Sequence, residues 1–174
     1  MDINEIYSTI QNYLKEPPLV IWGSGATIGF GLPSMSSLKD EIAKDLPTFD
    51  KTCSDLESEL GKDKYESNLP QIRKIIRNVI CSADIKAKER LLKCVEDFEG
   101  IRLLTSFCYD PHPKVMNVVS TNYDRILEYV WGYYGFYYTD GFGQQELSEF
   151  DENRFQGKNI INLMKFIRWM QMSF

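Results

Sequence analysis

The feature that most constrains the fold is a short apolar run that stops at a glycine turn. Leu19-Val20-Ile21-Trp22 is followed by Gly23-Ser24-Gly25-Ala26-Thr27, and a second run, Val115 to Val119, is followed by Ser120-Thr121-Asn122-Tyr123-Asp124. Such runs are typical of buried parallel strands, and we interpret the first as a central strand. Both turns would then lie at the carboxyl edge of one parallel sheet, where backbone N–H groups and short polar side chains commonly bind nucleotides.

Helical periodicity predicts three helices beside these strands. The first covers residues 3–14, and the second covers residues 36–46 with Ser36 or Ser37 as its cap. The third follows the second turn, from Asp124 until Gly132. We therefore predict an α/β fold, a Rossmann-like parallel sheet with flanking helices.

A long stretch between the two strands has a different character. Residues 48–110 are charge-rich, carry helical periodicity and contain no convincing strand, so we interpret them as a helical insertion. Third and fourth strands are predicted at Phe136–Tyr138 and Asn159–Met164. We expect one domain over residues 1–174, since this length can bury a genuine hydrophobic core.

Composition argues against several classes of partner. The net charge is −5 and the pI is about 5.0, which disfavours a surface for nucleic acid or for an anionic membrane. The four cysteines contain no Cys-x-x-Cys pair, so no metal site is predicted. The N-terminus has no apolar leader and no stretch could span a bilayer, so a cytoplasmic location is expected.

The glycine turn alone leaves two interpretations open. It is not the dinucleotide-binding fingerprint Gly-x-Gly-x-x-Gly, because Ile28 occupies the place of the third glycine. A tight turn chosen for backbone freedom explains a lone Gly-x-Gly equally well. Likewise, Asn122 and Asp124 could simply cap a helix, and capping can coexist with catalysis.

The longer spacing is more specific. Gly23-x-Gly25-x-Thr27-x-x-x-Gly31-x-Pro33 resembles the sirtuin loop Gly-Ala-Gly-Ile-Ser, three variable residues, Gly-Ile-Pro. Ser120 to Asp124 fits the later sirtuin turn Thr-Gln-Asn-Ile-Asp. The form Ser-Thr-Asn-Tyr-Asp, followed by Leu127-Glu128 and later by Asp140-Gly141-Phe142, looks more like the bacterial sirtuin-like domains of anti-phage defence. Ser34-Met35-Ser36 replaces the Asp-Phe-Arg of true deacylases, and their four-cysteine zinc module is absent, which puts protein deacylation in doubt.

The resemblance implies an NADase, a hydrolase that cleaves NAD to ADP-ribose and nicotinamide. Asn122 would be the catalytic residue and would hold a water or a ribose hydroxyl beside the anomeric carbon. The N–H groups from Gly25 to Thr27 would hold the pyrophosphate, and Asp124 would hold the nicotinamide carboxamide. The full set of expected NAD-binding residues is Gly23, Ser24, Gly25, Ala26, Thr27, Gly31, Pro33, Ser120, Thr121 and Asp124.

One sirtuin motif is missing from the chain. The motif Lys-Leu-His-Gly-Ser supplies the general base, but after Lys165 the expected histidine position holds Ile167. The single histidine, His112, is expected at the opposite end of the sheet. We therefore expect a C-terminally truncated domain, and a shifted reading frame beyond Lys165 is one hypothesis for it.

Three functional interpretations stay open at this point. The chain is an NAD glycohydrolase in its full-length form, a non-catalytic module that binds NAD or ADP-ribose, or an inactive remnant. The expected ligand is NAD or ADP-ribose. A second copy of the chain or another protein of a defence system is a candidate partner.

Overall fold

A four-stranded parallel sheet forms the centre of the molecule. The computed structural model describes residues 2–13, 19–109, 115–142 and 149–165. The strands are β1 (Leu19–Trp22), β2 (Val115–Ser120), β3 (Tyr138–Thr139) and β4 (Ile160–Lys165), in the order β1-β2-β4-β3. The predicted α/β fold with a parallel, Rossmann-like sheet is confirmed, although β3 and β4 begin slightly later than predicted.

β1 lies at an edge of the sheet, so the prediction of a central strand is wrong. Leu19 and Ile21 are 60% and 74% exposed, whereas Trp22 is buried. The reason is the insertion, because the described chain between β1 and β2 forms helices and adds no strand beside β1. The sequence cannot reveal the edge position of β1. A strand with one exposed face is recognised by alternating apolar and polar residues, and a run of four apolar residues has no such alternation.

The described part of the chain contains six α-helices. They are α1 (Ile3–Tyr13), α2 (Met35–Asp45), α3 (Leu56–Leu60), α4 (Leu69–Lys93), α5 (Glu99–Tyr109) and α6 (Ile126–Tyr134). Helices α3 to α5 lie within the predicted insertion, where the described residues contain no strand. None of the helices described is both long enough and apolar enough to cross a membrane.

Two helices differ from the prediction at their ends. Ser34 caps α2, because its Oγ accepts a hydrogen bond from the Ser37 N–H at 3.1 Å, so neither Ser36 nor Ser37 is the cap. α6 begins at Ile126 instead of Asp124 and continues past Gly132 to Tyr134. Gly135 ends it with a left-handed φ of 76°, a conformation that glycine adopts without steric cost.

The hydrophobic core lies on one face of the sheet. Alternate strand residues, including Met116, Val118, Ile161 and Leu163, pack in one cluster with side chains of α4, α5 and α6. A second cluster joins α2 to α4 and the segment around Tyr65. α4 contributes to both clusters, so this helix of the insertion links the sheet layer to α2.

Candidate functional site

The carboxyl ends of three strands are level with one another. Trp22 of β1 pairs with Ser120 of β2, and Ser120 pairs with Lys165 of β4. The loops that follow β1 and β2 therefore leave the sheet side by side, and the side chain of Lys165 is at the same edge. This edge holds the residues that the sequence singled out.

The loop after β1 folds into two consecutive 3₁₀ turns, Ser24–Ala26 and Ile28–Phe30. Thr27 lies between them, 1% exposed, and its Oγ1 donates a hydrogen bond to the Ser24 carbonyl at 3.1 Å. Gly31 ends the second turn with a left-handed φ of 91°. A Cβ built on Gly25 would meet no atom within 4 Å, so the conformation leaves open space beside that residue.

The predicted phosphate cradle needs a correction. The backbone N–H groups of Ala26 and Thr27 donate to the carbonyls of Gly23 and Ser24, at 3.0 and 3.1 Å. A 3₁₀ turn uses these groups in its own i→i+3 hydrogen bonds. The expectation that the N–H groups from Gly25 to Thr27 together face a phosphate is therefore wrong for Ala26 and Thr27 in this conformation.

Asn122 joins the two loops. Its Nδ2 donates to the Gly23 carbonyl at 3.1 Å and lies 3.4 Å from Thr27 Oγ1. Because a carbonyl only accepts, the amide nitrogen must face Gly23, and this fixes the orientation of the carboxamide. Asn122 is 4% exposed. Its Oδ1 is buried and has no hydrogen-bond partner among the described residues.

The backbone of Asn122 is also held in place. Its N–H donates to Ser120 Oγ at 3.1 Å, and Ser120 is 1% exposed. Ser120 thus stabilises the loop through this hydrogen bond, and its buried side chain is not available to a ligand. The carboxamide of Asn122 faces the first loop, so helix capping does not account for this residue.

Asp124 does support the start of α6. Its Oδ1 accepts from the Ile126 N–H at 3.2 Å, but the N-cap residue of α6 is Arg125, so Asp124 is not itself the helix cap. Burial is the largest influence on its carboxyl and raises its pKa above the ordinary value. Hydrogen bonds from Ile126 and Thr27, and the positive charge of Lys165, act in the opposite direction on the same pKa.

Asp84 of α4 is a site residue that sequence reasoning missed. Its Oδ1 accepts from the Arg125 N–H at 2.8 Å, and its Oδ2 accepts from the Tyr129 hydroxyl at 2.5 Å. Asp84 is buried, and its two hydrogen bonds fix the beginning of α6. The sequence offers one signal, since Asp84 lies at helical spacing from the apolar residues Ala87 and Leu91. A charged side chain on the buried side of a helix is expected to have a partner, because unpaired charges are rarely buried.

Lys165 was also missed as a functional residue. Its Nζ lies 2.6 Å from Glu128 Oε1 and 2.6 Å from the backbone carbonyl of Asp124. In the sequence, Glu128 is singled out only by the family resemblance. Its Oε2 is buried without a hydrogen-bond partner among the described residues. The sequence matched Lys165 only to the first residue of the incomplete sirtuin motif, and nothing in the local pattern indicates these contacts.

A small cleft lies between the two loops and α4. Its cavity volume is about 100 Å³, and its lining comprises Ser24, Thr27, Leu32, Pro33, Met35, Leu38, Ile80, Thr121, Asn122, Tyr123 and Asp124. The lining includes both polar and apolar side chains, so the cleft suits a ligand part that has a flat ring beside hydrogen-bonding groups. A wider groove of about 720 Å³ along α2 includes none of the predicted site residues.

The remaining predicted site residues divide into two groups. Ser24, Thr27, Pro33, Thr121 and Asp124 line the cleft with Asn122, whereas Gly23, Gly25, Ala26, Gly31 and Ser120 shape the loops around it. His112 and Ile167 lie outside the described residues. Among the residues described, no three His, Cys, Asp or Glu side chains are grouped so as to hold a metal ion.

Comparison of the chain with protein-family models and with curated proteins finds no match. The sirtuin resemblance therefore rests on the two loop motifs themselves and remains a prediction.

Proposed function

We propose that this chain binds NAD or ADP-ribose in the cleft between the two loops, and that its full-length form hydrolyses NAD to ADP-ribose and nicotinamide. The observation that carries the proposal is the carboxamide of Asn122. It is anchored through Nδ2 to the Gly23 carbonyl, while Oδ1 is buried beside the cleft and has no partner there. A buried acceptor without a partner is costly, and a ligand hydroxyl or a bound water would satisfy it.

The surrounding residues supply complementary chemistry. The hydroxyls of Ser24 and Thr121 can donate to anionic or hydroxyl groups, and the apolar side chains of Leu38 and Ile80 offer a surface for a flat ring. The carboxyl group of Asp124, when ionised, would favour a ribose that develops positive charge as nicotinamide leaves. At about 100 Å³ the cleft can hold only part of a dinucleotide, so the rest of NAD would extend beyond it.

A second function is favoured by a specific observation. Among the residues that the structure describes, those that line the cleft include no histidine, and the sequence has Ile167 at the expected position of the general base in the family motif. General-base assistance commonly contributes about a hundredfold to ten-thousandfold in rate. A chain that binds NAD or ADP-ribose without cleaving NAD is therefore the alternative function.

One experiment separates these functions. Thermal unfolding is measured with and without millimolar NAD and ADP-ribose, and nicotinamide release is followed by chromatography. The parent is compared with Asn122→Ala and with Asn117→Ala as a matched control, because Asn117 lies on β2 but pairs with Asn162. We expect ligand protection in the parent and in Asn117→Ala, and loss of protection in Asn122→Ala.

The outcomes are distinct. Protection with nicotinamide release supports the hydrolase, and protection without release supports the binding module. If neither nucleotide raises the unfolding temperature of the parent, the proposed site is wrong.

A further inference from the structure

A buried ion pair connects the end of β4 to the loop that carries Asn122. The side chains of Lys165 and Glu128 are 13% and 8% exposed, and the charged atoms approach to 2.6 Å. The same ammonium donates to the Asp124 carbonyl at 2.6 Å. Lys165 therefore reaches two separate parts of the segment that leads from β2 into α6.

Stability alone is a weak explanation for this arrangement. Removing two charges from water is expensive, and replacing a buried ion pair with apolar side chains of similar size is often neutral or stabilising. What an apolar pair cannot reproduce is the directed hydrogen bond to the Asp124 carbonyl. That bond fixes where the loop lies relative to the sheet, because Lys165 belongs to β4 and is level with Ser120.

We propose that Lys165 is a positioning residue for the cleft, an inference that rests on the proposed function. Its ammonium holds the Asp124 carbonyl, so that the loop keeps the Asn122 carboxamide against Gly23 and the Asp124 carboxyl in the cleft. Glu128 neutralises the ammonium and allows it to stay buried. Lys165 does not line the cleft and acts on the ligand only through the loop.

The loop offers a readout that needs no ligand. The N–H groups of Thr121, Asn122, Arg125 and Ile126 all donate hydrogen bonds within the protein. Their exchange with deuterium is slow as long as the loop keeps its position. Loosening the loop should accelerate this exchange, whether or not NAD is the natural ligand.

The test compares the parent with Lys165→Met/Glu128→Leu, which removes one charge of each sign and leaves the net charge unchanged. The single variant Glu128→Leu leaves a buried lysine without its counterion, and we expect it to unfold at a lower temperature than the double variant. For the double variant we expect an unfolding temperature near that of the parent. We also expect about tenfold weaker ADP-ribose binding by calorimetry, as for the loss of one charge-assisted hydrogen bond, and faster exchange over residues 121–126.

Unchanged exchange over residues 121–126 in the folded double variant overturns the positioning role. Faster exchange with unchanged ADP-ribose affinity also overturns it, because the loop would then be loosened without effect on the cleft. If the parent itself binds no ADP-ribose, the proposed function fails. Deuterium exchange then still decides whether Lys165 holds the loop.

Discussion

Substitution of Gly25 tests whether the first loop meets the ligand through its backbone. Gly25 and Gly29 both lie in 3₁₀ turns of this loop, and neither has a positive φ. A Cβ built on either residue would meet no atom within 4 Å. The folded protein should therefore accept Gly25→Leu and Gly29→Leu alike. Neither variant should lose stability, because replacing glycine also reduces the conformational freedom of the unfolded chain.

The two variants should differ once ligand is present. A ligand at a hundred times its dissociation constant stabilises the folded state by about 2.7 kcal/mol. For a chain of 174 residues, this corresponds to a rise of roughly 5–10 °C in unfolding temperature. We expect the parent and Gly29→Leu to show this rise with ADP-ribose. Gly25→Leu should not, because the new side chain would occupy the space that the phosphates of the proposed ligand require.

Differential scanning fluorimetry across an ADP-ribose titration measures both effects in one plate. A full thermal shift in Gly25→Leu would refute the close approach of ligand to this residue. A large loss of unfolding temperature in both variants without ligand would instead show that the loop does not have the open space described above.

Three further predictions concern stability, measured by urea unfolding. Gly31→Ala should cost about 1–2 kcal/mol, because Gly31 has a φ of 91° and an L-residue is strained there; no loss would contradict the left-handed conformation. Asp84→Ala should cost about 2–3 kcal/mol and Tyr129→Phe about 1 kcal/mol, because the first leaves two partly buried donors without their acceptor and the second removes one bond; equal costs would contradict the role of the Arg125 N–H. Asp124→Asn should be more stable than the parent at pH 7. Burial raises the pKa of Asp124, so its favourable contribution is complete at acid pH and is lost as pH rises through the folded pKa. The advantage of Asn should therefore shrink as pH falls towards 4, and a constant difference would argue against this cause.

Much of the fold could be predicted because its signals are local. The apolar runs that end at Gly23 and Ser120 identify two parallel strands, and helical periodicity identifies the insertion. The edge position of β1 could not be predicted, because it depends on which other segments pair with that strand. Helix caps are similarly ambiguous where several serines are adjacent, as at Ser34, Ser36 and Ser37.

The candidate site could be predicted only in its polar loops. Asn122 and Thr27 follow directly after strands, and parallel topology brings such positions together. Asp84 and Lys165 are distant in sequence from those loops, and their contacts with Arg125 and Asp124 depend on how α4 and β4 pack. The 3₁₀ turns that occupy the N–H groups of Ala26 and Thr27 are also a result of packing, since Thr27 is buried between the two loops.

The insertion is part of the candidate site and not an addition beside it. Ile80 and Asp84 lie one helical turn apart on α4, and therefore on the same side of that helix. Ile80 lines the cleft, while Asp84 holds the backbone of Arg125 at the start of α6. Because Lys165 holds the Asp124 carbonyl from the sheet, the loop between Asn122 and α6 is fixed from both directions. A change in the packing of α4 should therefore alter ligand binding without any change to a residue of the two loops.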